Sequence, residues 1–142
     1  MRIGYISFEA LEKTTPDPNV TVYSITEATV ESHKTKLTGW KAFHVIPFQV
    51  LSCFKEFKTT DDQALSIGKY FKATLPTEGD ILFQCTYGEV RSRILALSVS
   101  LTLFESYDVF KVVHGKWVHK ETYPEGVFEG RTSAIIYDAV KT

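Results

Sequence analysis

The sequence predicts an α/β fold: a single domain over residues 1–142 with a central, mostly parallel sheet flanked by helices. Three observations predict it. Strand-like and helix-like segments alternate along the chain, a capped amphipathic helix separates the third strand from the fourth, and a long apolar segment follows the fourth strand directly. "RIGYIS" (Arg2 to Ser7) and "VTVYSI" (Val20 to Ile25) are rich in β-branched and aromatic residues, with "TTPDPN" breaking the chain between them. "AFHVIPF" (Ala42 to Phe48) starts as an apolar/polar alternation and meets Pro47, which suits a strand ending at a sheet edge. "TTDDQALSIGKYFKATL" opens on Thr60 with Gln63 three residues later, the capping-box spacing, and Ala64, Leu65, Gly68, Phe71 and Leu75 recur at helical intervals. "PTEG" turns the chain into the short apolar strand "DILFQ". Ser92 to Phe104 is too long for a buried strand and apolar nearly all round, so it predicts a buried helix. Val109 to Val118 fits either a helix or a hairpin. Glu129 to Lys141 predicts a last amphipathic helix burying Ile135, Ile136 and Val140.

Composition narrows the function. A chain of 142 residues with 44% hydrophobic content can bury a real core within one domain. Sixteen Lys and Arg nearly balance 17 Asp and Glu, so no general field draws the molecule to nucleic acid or to an anionic membrane. Met1 runs straight into the first strand and the longest apolar-rich run, Ile94 to Phe104, is too short to span a bilayer, so the expected setting is cytoplasmic and the expected partners exclude a membrane. Cys53 and Cys85 cannot build a disulfide framework, and with four scattered histidines they show no zinc-ligand spacing. The phosphate-binding GxxxxGK[ST] pattern, the G-x-S-x-G elbow and the dinucleotide fingerprint do not occur.

The chemistry concentrates in "DILFQCTYGEVRSRILALSVSLTLF", Asp80 to Phe104, where a thiol, a guanidinium and a hydroxyl stand at a strand-to-helix junction. In parallel sheets ligands gather where the carboxyl ends of strands meet helix N-termini. A loop from Cys85 to Arg91 feeding such an N-terminus aims backbone N–H groups and the positive end of the helix dipole at an anion. Arg91 adds a planar fork that matches two phosphate oxygens, and the same field favours the thiolate of Cys85. Gly88 supplies a tight bend, and Ser92 places a hydroxyl where it can bond the sulfur.

"CTYGEVRS", a Cys-x5-Arg-Ser with a central glycine, resembles the signature loop of the cysteine-dependent protein tyrosine phosphatases, and is most similar to their compact dual-specificity group. "SIT" after "VTVY", the Trp40 to Phe48 segment and "YPEGVFEGRTSAIIYDAV" also resemble small phosphatase-like proteins of bacteria and phages, so the similarity covers most of the chain. The resemblance implies a dual-specificity phosphatase-like fold, no metal or other cofactor, and a phosphorylated protein or small phosphorylated molecule as partner. It implies that Cys85 attacks phosphorus to form a cysteinyl-phosphate. The loop amides of Thr86, Tyr87, Gly88, Glu89, Val90 and Arg91, with the Arg91 side chain, would hold the phosphoryl oxygens, and Ser92 would assist release of the thiolate.

Two positions depart from the family pattern. Gln84 stands before the nucleophile where the family commonly has His. The general-acid Asp expected after the preceding strand has no counterpart in "PFQVLSCFKEFKTTDD". Glu56 lies on that connection and Glu89 in the loop itself, so these two are the candidate acids. Asp61 and Asp62 coincide with a helix start, where carboxylates serve as dipole partners. Cys53 could form a reversible disulfide with Cys85 or serve as a small buried hydrophobe. His114 and His119 near Trp117 lack a partner spacing and read as surface or packing residues. Tyr87 is placed to show its ring to substrate, whereas Tyr5, Tyr23, Phe43, Phe48 and Phe128 read mostly as core. Two function classes follow: a phosphoester hydrolase with an atypical or missing general acid, and a non-catalytic phosphate-binding module that recognises a phosphorylated partner or nucleotide. Between them lies phosphoanhydride hydrolysis, as in the RNA triphosphatase branch, whose leaving group needs little protonation; the balanced charge lends RNA binding no support.

Overall fold

Strands and helices alternate in the computed structural model, which describes residues 1–26, 38–47, 61–85, 91–123 and 130–142. In chain order they are β1 (Ile3–Ser7), α1 (Phe8–Glu12), β2 (Val20–Thr26), β3 (Ala42–Pro47), α2 (Asp61–Thr74), β4 (Asp80–Cys85), α3 (Arg91–Phe104), β5 (Tyr107–Val113), β6 (Lys116–Tyr123) and α4 (Gly130–Lys141). The sheet has six strands in the order β3-β2-β4-β1-β5-β6. Every neighbouring pair is parallel except β5 and β6. This is the α/β architecture the alternation predicts, a single domain with a mostly parallel sheet flanked by helices. β3 lies at an edge and ends at Pro47, as the proline suggests.

Period-2 alternation divides the strands between two unequal cores. On one face Ile3, Tyr5, Tyr23, Ile25, Ile81, Phe83, Cys85, Tyr107 and Val109 pack with Ile67 and Phe71 of α2, Leu95 to Leu101 of α3 and Ile136 of α4. On the other face Ile6, Val20, Val22, Leu82 and Val112 meet Leu11 of α1 and Trp40. β4 is buried along its whole length because strands pair with it on both sides and packed layers cover both faces.

The segment Val109 to Val118 forms a hairpin. His114 and Gly115 make its two-residue turn at φ of 50° and 77°, the left-handed pair that matches the strand twist. α3 is the buried helix expected: residues 95–102 are all buried. Its hydroxyls are satisfied locally or by neighbours, Ser98 by the Ile94 carbonyl (2.7 Å) and by Ser133 of α4 (2.7 Å), and Thr102 by the Ser98 carbonyl (2.7 Å).

Two expectations need correction, and one short helix adds to them. Leu65 is 39% exposed and Ile67 takes the inward place, because Ala64, Ile67, Gly68 and Phe71 share the stripe that faces the core and α4. On α4 the fully inward positions are Ser133, Ile136 and Ala139, one turn apart, which leaves Ile135 half-buried, while Val140 is half-buried but still packs against the core. α1 was not foreseen: five residues carry too little periodicity to register, yet Ser7 caps them by accepting the Ala10 N–H at 3.2 Å.

Gly68 marks the closest approach of α2 to α4. A Cβ there would stand 2.6 Å from the Ala139 Cβ and 3.3 Å from the Ile136 backbone. Alanine normally favours a helix over glycine by about 1 kcal/mol, but forcing two helices apart costs about 1–3 kcal/mol. Gly68→Ala therefore lowers the thermal midpoint, and a raised midpoint in calorimetry would overturn this account of the contact.

An aromatic stack lies beneath α2. Tyr23 stacks on Phe83 (5.3 Å) and on His44 (4.8 Å) and meets Phe71 edge-on. Its hydroxyl bonds Thr74 at 2.9 Å, and burial pushes its pKa up to about 12. His44 Nδ1 shares a 2.8 Å hydrogen bond with the Tyr70 hydroxyl, and burial lowers the His44 pKa from 6.5. Because the fold holds this imidazole neutral while the unfolded chain protonates near 6.5, His44 leaves stability intact above that pH and erodes it as pH falls through the lowered folded value. Thermal midpoints measured from pH 8 to pH 5 should decline along that window, and His44→Phe, which keeps the stack, should remove its share of the slope. An unchanged slope would sink the assignment.

Candidate functional site

β4 lies between β2 and β1, so its carboxyl end is shielded on both sides and Cys85, its last residue, is only 2% exposed. The alternation along Ile81, Phe83 and Cys85 turns the thiol toward the face covered by α2, α3 and α4. α3 begins at Arg91, and its second residue, Ser92, is fully buried. The Cys85 Sγ–H donates to Ser92 Oγ at 3.3 Å, joining the end of the strand to the first turn of the helix. No acidic residue occupies that first turn to offset the positive end of the α3 dipole.

Gln84 points the other way. Paired in register with Ser24 of β2, it is buried and accepts a hydrogen bond from the Ser24 hydroxyl through Oε1. Gln84 therefore ties two strands together. At the opposite end of β4, Arg2 clamps Asp80: its backbone N–H donates to Oδ1 at 2.7 Å, and Nε and Nη2 donate to Oδ2 at 3.2 and 2.8 Å. Burial raises the Asp80 pKa, but the bonds from Arg2 outweigh it and hold the carboxyl below its usual range. The Arg2 guanidinium also lies 4.5 Å from the centre of the Trp117 ring. The strand that carries Cys85 is thus pinned along its length.

Among the sequence-predicted site residues, the structure brings Cys85 and Ser92 together and places Arg91 at the start of α3. Thr86, Tyr87, Gly88, Glu89 and Val90, the other candidate acid Glu56, and Cys53, Phe48 and Phe128 lie outside the described residues. Asp61 and Asp62 form the first turn of α2, as expected of dipole partners. Asp61 accepts the fork of Arg131 at 2.9 and 2.7 Å, and those bonds hold its carboxyl below the usual range, unsuited to giving up a proton near neutrality. His119 Nε2 pairs with Asp108 at 2.5 Å and packs edge-on against Phe110, while His114 belongs to the hairpin turn. Among the described residues no group of three or more His, Cys, Asp or Glu is placed to hold a metal ion, and no helix is long and apolar enough to cross a membrane.

Ser7 escaped the sequence analysis as a site neighbour. It ends β1 and stands in register beside Cys85, a position that only the strand order reveals. No protein-family profile, curated protein or solved structure matches the chain.

Proposed function

We propose that this protein hydrolyses phosphate monoesters through Cys85, as a phosphatase of the Cys-x5-Arg type, in a dual-specificity phosphatase-like fold. The observation that carries the reading is the thiol-to-hydroxyl bond between Cys85 and Ser92 across the strand-to-helix junction. A buried cysteine is ordinarily an inert hydrophobe. Here it bonds a fully buried hydroxyl at the head of a 14-residue helix, which supports a role for the sulfur beyond packing.

In the first step the Cys85 thiolate attacks phosphorus, an S–P bond forms, and the P–O bond to the leaving group breaks with its electron pair passing to that oxygen. In the second, water attacks phosphorus, the S–P bond breaks and the thiolate is regenerated. The Ser92 hydroxyl can rotate, accepting from the thiol when sulfur is protonated and donating to it when sulfur is the anion. Donation stabilises the departing thiolate in the second step. Arg91 and the loop amides hold the non-bridging oxygens and the charge that develops on them. The substrate is a phosphorylated protein or a small phosphorylated molecule.

The test uses Arg91→Lys, because an ammonium cannot reproduce the two-pronged guanidinium contact. Turnover of p-nitrophenyl phosphate and the competing affinity for vanadate should both fall by about tenfold or more, the worth of a charge-assisted hydrogen bond. Unchanged turnover and unchanged vanadate affinity would overturn the phosphate cradle.

A further inference from the structure

Among the described residues β6 is an edge strand, and it is a long one, eight residues from Lys116 to Tyr123 without proline or glycine. The other edge, β3, ends at Pro47. In a two-residue hairpin the residues that flank the turn, Val113 and Lys116, exchange hydrogen bonds. The next residue along, Trp117, therefore turns its backbone N–H and C=O away from β5 to the open side. An edge of this kind is a template for another strand.

The edge has a definite charge. From Val109 to Lys120 the chain carries three lysines and two histidines and no carboxylate, in a molecule whose formal net charge is -1. Asp108, just before this run, pairs with His119 at 2.5 Å. Lys116 and Lys120 are exposed, and among the described residues neither has an ion-pair partner. Alternation puts Lys116 and Val118 on one face, where Val118 is 42% exposed and Val113, across the hairpin, 37%. Lys120 is the extra residue of the bulge opposite Val109 and Phe110. Two copies of this chain joined edge to edge would set one basic run against another, so a second copy does not fit.

We propose that the β6 edge takes up an extended acidic segment of a partner protein, which adds to the sheet as a further strand: its backbone pairs with the outward groups of β6, its carboxylates meet Lys116 and Lys120, and an apolar side chain between them covers Val118. Such strand addition draws affinity from main-chain hydrogen bonds and specificity from alternate side chains. A nucleic acid fits the edge less well, because the rings on which bases would stack are engaged. The Trp117 ring lies against Gly4 and 4.5 Å from the Arg2 guanidinium, and Phe110 meets Trp117 and His119 edge-on. The inference is independent of the reading of Cys85.

Calorimetry on the full-length protein tests it with three probes: a short peptide alternating glutamate and valine, its lysine–valine counterpart, and the acidic peptide N-methylated at alternate residues, which keeps the charge and removes backbone donors. The acidic peptide should bind, the lysine peptide should not, and N-methylation should abolish binding. Lys116→Glu with Lys120→Glu, both at exposed positions, should weaken the acidic peptide by about tenfold or more, as two exposed ion pairs become repulsions. Hydrogen exchange at the Trp117 N–H should slow in the complex. Failure of the acidic peptide to bind, or equal binding after N-methylation or after the two lysine changes, would overturn the added strand. Tighter binding of phosphatidylserine-rich vesicles or of poly(U) than of the peptide would overturn the choice of partner.

Discussion

Cys85→Ser should abolish turnover of p-nitrophenyl phosphate, by on the order of 10⁴-fold or more, since no neutral hydroxyl replaces a thiolate as nucleophile and leaving group. The substitution is nearly isosteric at a site that is 2% exposed, and a serine hydroxyl can keep the bond to Ser92, so the fold should persist. Anion binding should persist with it, because the loop amides and Arg91 are unchanged. The informative comparison is between turnover and vanadate affinity in the same preparation. Loss of both would point to a collapsed junction, which near-ultraviolet circular dichroism would reveal. Residual turnover within about tenfold of wild type would remove the covalent mechanism altogether.

Much of this junction is legible in the sequence, and the reason is local. A short apolar strand, a turn-forming glycine and a run of apolar residues each leave a mark within a few positions, so the strand ending at Cys85 and the helix receiving Ser92 can both be placed from "DILFQCTYGEVRS". The seven-residue separation of Cys85 and Ser92 then suggests the sulfur contact that the structure contains. What depends on distant pairing is not legible. Nothing near Ser7 marks it as the neighbour of Cys85, because that adjacency is created by β1 entering the sheet between β4 and β5, 78 positions along from its partner. The inward turn of α2 is set in the same way by α4: Leu65 fits a helical stripe in isolation, but the close approach at Gly68 rotates Ile67 inward and Leu65 out.

The two departures from the phosphatase pattern have different characters. Gln84 accepts a hydrogen bond from Ser24, so its place before Cys85 is a matter of joining β2 to β4. The general acid that the resemblance implies is a matter of chemistry. Asp61 is held by Arg131 across from α4, with its carboxyl kept below the usual range, and Asp62 shares the same helix turn. Asp61 is therefore unsuited to the proton transfer that a basic leaving group needs.

Without a general acid, the rate should depend steeply on the basicity of the leaving group. An unprotonated alkoxide departs poorly, whereas p-nitrophenolate or a polyphosphate departs readily, and loss of a general acid typically costs ~10²–10⁴-fold on the poor leaving groups alone. A series of aryl phosphates spanning acidic to basic phenols, with phosphoserine at the far end, should therefore show activity on the first and nearly none on the last. Were Glu56 or Glu89 the acid, the series would run nearly flat, and the basic limb of the pH profile would vanish in Glu56→Gln or Glu89→Gln. We expect the steep series, because "PFQVLSCFKEFKTTDD" holds no Asp where the phosphatase resemblance implies the acid and neither glutamate stands at that place. A flat series that survives both substitutions would defeat this account and return the role to the first turn of α2, where Arg131→Gln, by freeing Asp61, should then alter the pH profile. Turnover of no ester at all, alongside tight vanadate binding, would instead make the junction a phosphate-recognition site.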